Sequence, residues 1–94
     1  MARIVVWTKR ANYKFNNIIS YLEAEWGERI TKNFVLRSYD IIELLKVNPK
    51  LGSSEKDDIR GFLITKQNRI FYRFTNDEII ILNFFDTRSK QKKF

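Results

Sequence analysis

Four arginines set among aromatic rings are the residues of this chain best suited to chemistry. Within "RIFYRF", Arg69 to Phe74, cation and aromatic alternate, and Arg60 and Arg88 lie on either side of that stretch. Guanidinium forks grip phosphate oxygens at two points and flat rings stack bases, so the mixture suits phosphate or nucleic-acid recognition. The same residues have a plainer use, because arginine stems also cover exposed apolar surface on a sheet. Other chemistries are closed off. The chain has no cysteine and no histidine, so it offers no thiolate nucleophile or disulfide, and a zinc site would have to be built from carboxylates alone. No metal and no cofactor is expected.

Charge is unevenly spread along the 94 residues, which carry +7 overall. Residues 1–14 hold four bases and no acid, residues 15–59 six bases and eight acids, and residues 60–94 eight bases against three acids. If the fold brings the two basic ends together, they form a positive patch that attracts nucleic acid or an acidic protein; the alternative is general solubility. With 44% hydrophobic and 31% charged residues the chain reads as one small globular domain over 1–94. The apolar run in "MARIVVWTKR" is too brief for a signal sequence or a membrane span, so a cytoplasmic protein with no membrane partner is expected.

The elements that must position the arginines follow from hydrophobic periodicity. Residues 3–7, "RIVVW", read as a short strand, and Thr8 is placed to cap a helix. Ala11, Phe15, Ile18, Ile19, Leu22 and Trp26 recur at steps of three and four, one face of a helix that Gly27 is placed to end. A second helix is predicted over 28–47, with Ile30, Phe34, Ile41, Leu44 and Leu45 on its stripe and Asn48-Pro49 as its stop. Residues 48–58 read as a loop. Three strands are predicted at 59–65, 69–75 and 78–85, joined by hairpin-length connections, and the basic residues 89–94 are expected to fray. The order is β-α-α-β-β-β: an α+β domain with an antiparallel helical hairpin on one face of an antiparallel sheet.

If Asn76-Asp77 is a two-residue turn, Phe74 faces Ile79, Tyr72 faces Ile81 and Ile70 faces Asn83, on the side under the helices. The other side then carries Arg73 opposite Ile80, Phe71 opposite Leu82 and Arg69 opposite Phe84, with Arg88 further along it. The predicted open binding face is therefore Arg69, Phe71, Arg73, Phe84 and Arg88. Arg60 is placed to join them from the neighbouring strand, its register unfixed.

The chain resembles the RelE/ParE superfamily of toxins from bacterial type II toxin–antitoxin pairs. The resemblance rests on "VVWTKRANYKFNNIISYL", "NPKLG", "IRGFLITKQNRIFYRF" and "IIILNFFDTR", which follow in the family's order over nearly the whole chain. It implies the same β-α-α-β-β-β fold, a cognate antitoxin that lays a helix or extended segment over the toxin, and a toxin–antitoxin hetero-oligomer. RelE-like members cut messenger RNA on the ribosome, with a pattern of Lys-x-Lys, two arginines and a late tyrosine or histidine. Here Arg69 and Arg88 match the two arginines, but the Lys-x-Lys position reads Arg60-Gly61-Phe62 and no tyrosine follows Tyr72. Arginine stays protonated and shuttles protons poorly, so phosphate clamping by Arg60, Arg69 and Arg88 survives while the base is missing. ParE-like members instead poison DNA gyrase without catalysis, and the resemblance lies nearer that branch. The expected partners are thus an antitoxin and DNA gyrase, with the ribosome and its mRNA as the alternative. A basic sheet domain that merely binds nucleic acid is the third reading.

Overall fold

The computed structural model describes residues 3–89. The elements run β1 (Ile4–Trp7), α1 (Lys9–Trp26), α2 (Glu28–Val47), β2 (Ser53–Lys56), β3 (Ile59–Leu63), β4 (Asn68–Phe74) and β5 (Glu78–Asp86), with 3-10 turns at Pro49–Leu51 and Thr87–Ser89. They form a mixed five-stranded sheet in the order β1-β5-β4-β3-β2, with the helices on one side. The frayed tail expected over 89–94 lies, beyond Ser89, outside the described residues.

Local chemistry explains the helical hairpin. The Thr8 hydroxyl accepts the Ala11 amide at 3.1 Å and caps α1. Gly27, at φ 88°, ends α1 by donating its amide to the Leu22 carbonyl, a left-handed φ that a side chain resists. Ala11, Phe15, Ile18 and Leu22 from α1 meet Phe34, Ile41, Ile42 and Leu45 from α2 over Ile70, Tyr72, Ile79 and Ile81 of the sheet. The buried hydroxyls of Thr31 and Ser38 return to the carbonyls of Gly27 and Phe34, which satisfies them within the helix. Leu44, assigned to the buried stripe from its spacing, is instead exposed, because the stripe drifts round a twenty-residue helix.

The structure corrects the sheet in three ways. The edge strand β1 pairs parallel to β5, so the sheet is mixed rather than antiparallel throughout. The 48–58 loop holds a strand, β2, that pairs antiparallel with β3 and adds the far edge. Its residues, "SSEK", carry no apolar alternation, since neither face of that edge strand is buried deeply. Third, β5 has a bulge. Phe74, Arg73 and Tyr72 pair with Ile79, Ile80 and Ile81 as the two-residue turn requires, and then Leu82 is left over. Phe71 pairs with Asn83, Ile70 with Phe84 and Arg69 with Phe85, one residue out of the predicted register. The Asn83 side-chain oxygen accepts the Phe84 amide at 2.9 Å, serving a donor at the irregularity.

Candidate functional site

The bulge decides which candidate residues share a face. Phe84 is moved to the helix side, where its ring lies 4.9 Å from Phe15 and 5.4 Å from Trp7. It is core, and the expectation of an exposed Phe84 is overturned by the one-residue shift. Arg60 pairs with Tyr72, whose ring is in the core, so Arg60 also stands on the helix side, at its rim. Arg88 follows Asp86, which pairs with Asn68 two residues before Ile70, and its guanidinium lies 5.6 Å from the ring of Trp26 of α1. Arg88 is therefore on the helix side as well. Of the six residues assigned to one open face, Arg69, Phe71 and Arg73 stand there; Arg60, Phe84 and Arg88 do not.

On the open face Arg69 is not a bare cation. Its guanidinium crosses β3 above Gly61 and meets the Glu55 carboxylate of β2 at 2.9 Å. Gly61 makes this possible: a Cβ there would lie 2.8 Å from Arg69 Nη2 and 2.9 Å from Glu55 Oε2. The guanidinium sits 5.9 Å from the ring of Phe71, which is fully buried beneath this cover. The Arg69 Nε is buried without a hydrogen-bond partner among the described residues, which lowers what the pair contributes. Arg73 is part-buried and makes no ion pair among the described residues.

At the β4–β5 end, Arg88 binds Asp86 in the two-point manner, Nε to Oδ1 at 3.2 Å and Nη2 to Oδ2 at 2.9 Å. Asp86 is fully buried and also accepts from the Arg88 amide and the Asn68 side-chain nitrogen. The Asn68 oxygen in turn accepts from Arg88 and from the Thr65 hydroxyl. This network locks the strand ends and the turn after β5.

At the opposite end, Tyr72 stands in the core with its hydroxyl reaching the 3-10 turn. It donates to the Pro49 carbonyl at 2.6 Å and accepts from the Gly52 amide at 2.9 Å. Burial pushes the phenol pKa above its usual value of 10.0, against the smaller opposing effects of the Gly52 hydrogen bond and the nearby Arg60 charge. Such a phenol is a poor general base at neutral pH. Arg60 donates to the carbonyls of Gly52 and Lys50 and lies 6.0 Å from the Phe74 ring.

Sequence reasoning missed Glu55, Asn68 and the two glycines, Gly52 and Gly61. Glu55 stood in a charged, loop-like stretch with nothing to pair it with Arg69. Gly61 did carry a signal, as a glycine inside a strand pattern, which marks close approach of another group.

The family model for the ParE toxin of the type II toxin–antitoxin system parDE matches residues 5–90. No curated protein matches the chain. Among solved structures, the chromosomal ParDE toxin–antitoxin system from P. aeruginosa superposes with a TM-score of 0.75 at 18% identity, covering 90% of this chain and 96% of that one. A YoeB/ParE toxin from Agrobacterium tumefaciens gives 0.65 at 16% identity, covering 88% and 96%. The YoeB dimer from Staphylococcus aureus gives 0.64 at 14%, covering 88% and 94%. At these identities the structures speak for the fold, while the family model spans nearly the whole chain: the protein belongs to the ParE toxin family of type II toxin–antitoxin systems.

Proposed function

We propose that this toxin arrests growth in the cytoplasm by binding and poisoning DNA gyrase, without catalysis, and is neutralised by a cognate antitoxin in a hetero-oligomer. The observation that carries the reading is the engagement of the arginines a nuclease would need. Arg69 is held by Glu55 on the open face, whereas Arg88 is held by Asp86 on the helix side. Two guanidiniums on opposite sides of a sheet, each already neutralised, do not converge on one scissile phosphate. The one tyrosine in reach of the family pattern, Tyr72, is buried and its proton is held more tightly than usual. Family membership supports the antitoxin partner.

Induction of the chain without antitoxin tests this directly. Gyrase-dependent DNA breaks without codon-phased cuts in translated messages are expected. Codon-phased cuts without breaks would establish the ribosome-dependent endoribonuclease instead.

A further inference from the structure

We propose that the groove at the C-terminal end of α2 is a docking site for an acidic peptide segment bearing aliphatic side chains, separate from the Arg69 face. The groove, about 390 Å³, is lined by Arg3, Val47, Pro49, Lys50, Leu51 and Phe74. Its apolar wall is presented to solvent, Val47 being 64% and Leu51 49% exposed. Lone exposed apolar residues are ordinary, but here they line a concavity beside three cations.

Charge complementarity selects the occupant. The Arg3 guanidinium lies 5.3 Å from the Phe74 ring and that of Arg60 6.0 Å from it. Arg3 donates to the carbonyls of Thr75 and Lys46, and Arg60 to those of Gly52 and Lys50. These bonds fix both side chains, yet carbonyls are neutral partners, and among the described residues neither arginine makes an ion pair. This is the reverse of Arg69 and Arg88, whose partners are carboxylates. Among the described residues no acid lines the groove. Two held cations and Lys50 around an apolar floor match carboxylates flanking an aliphatic side chain.

A nucleic-acid strand fits less well. The Phe74 ring, the aromatic surface on which a base would stack, is occupied by the two guanidiniums. The remaining wall is aliphatic and offers shape to a side chain rather than a flat platform to a base. The rim is also built to hold its form, since Tyr72 ties Pro49 and Gly52 from beneath. The inference does not depend on whether the toxin acts on gyrase or on the ribosome.

The test is an amide-resolved NMR titration of the full chain with a blocked peptide of sequence Glu-Asp-Leu-Leu-Glu-Asp. Shifts are expected at Val47, Lys50, Leu51 and Phe74. Val47→Ser and Leu51→Ser shorten exposed apolar side chains without adding charge, and each is expected to weaken binding about tenfold, the loss of one apolar anchor. Arg69→Ala, on the other face, is expected to leave the affinity unchanged. Three results would overturn the proposal: no shift at the groove, equal affinity for a peptide with serine in place of leucine, or saturation of these amides by a short oligothymidylate and not by the peptide.

Discussion

Arg69 reaches over Gly61 to Glu55, so a β4 cation is tied to the β2 edge strand at 2.9 Å. Both side chains are largely covered, 25% and 17% exposed, which makes the pair a staple across three strands rather than an open anion site.

Arg69→Ala and Glu55→Ala are each expected to destabilise the domain, with a coupling of about 0.5–1 kcal/mol in a double-mutant cycle. The unpaired Nε and the remaining solvent exposure keep the value at that modest level. Urea unfolding of the four proteins measures it. Additive single effects would show that the pair contributes nothing beyond packing.

The glycines give a second, ordered prediction. A Cβ at Gly52 would collide with the Tyr72 hydroxyl and lie 2.9 Å from the Gly61 carbonyl, which is backbone and cannot swing aside. Gly61→Ala meets first the far ends of Arg69 and Glu55, which can move, and then the Phe71 ring at 3.1 Å, which must give by a few tenths of an ångström. Gly52→Ala is therefore expected to cost more, about 2–3 kcal/mol, against about 1 for Gly61→Ala. Introducing Gly61→Ala into Glu55→Ala should cost less than in the wild type, because one of the two nearest of the three crowding groups is gone. Thermal unfolding of the four variants checks both the order and the relief.

Much of the fold was legible because its signals are local. Thr8 as a cap, Gly27 as a terminator and the Thr75–Glu78 turn were all readable from residue type and spacing. The site was legible only as far as the bulge. Nothing in "IIILNFF" says which residue is skipped, and that single extra residue sends Phe84 into the core and Phe85 opposite Arg69. Glu55 was hidden for a different reason. Its partnership is set by the diagonal crossing of three strands, a tertiary fact with no sequence period.

Tyr72 yields a prediction in pH. Its folded pKa is raised, so the native state holds the phenolic proton more tightly than the unfolded chain does. The associated stability is fully present below the unfolded value near 10.0 and is lost as pH rises from there through the folded pKa. Tyr72→Phe removes this titration. It leaves the Pro49 carbonyl and the Gly52 amide without the hydroxyl, about 1–3 kcal/mol at neutral pH. Its stability is expected to fall less steeply than the wild type above pH 10, when both are followed by circular dichroism. Tyr72→Ala, which also empties core volume, should cost on the order of 3 kcal/mol or more.

The Arg88–Asp86 pair separates a structural arginine from a phosphate-binding one. Asp86 is wholly buried, with its oxygens held by Arg88 and Asn68. Arg88→Ala strips the countercharge from a buried carboxylate and is expected to cost about 3–5 kcal/mol. Asp86→Asn combined with Arg88→Gln removes both charges together and keeps hydrogen-bonding side chains at both positions, so it is expected to cost less than Arg88→Ala alone. Toxicity then discriminates. If Arg88 only holds the fold, the double variant regains stability and growth arrest together. If Arg88 binds a phosphate, the double variant is stable and inactive. The burial of Asp86 favours the first outcome, because an arginine withdrawn toward a ligand gives up a two-point bond to a carboxylate whose charge stays in the core.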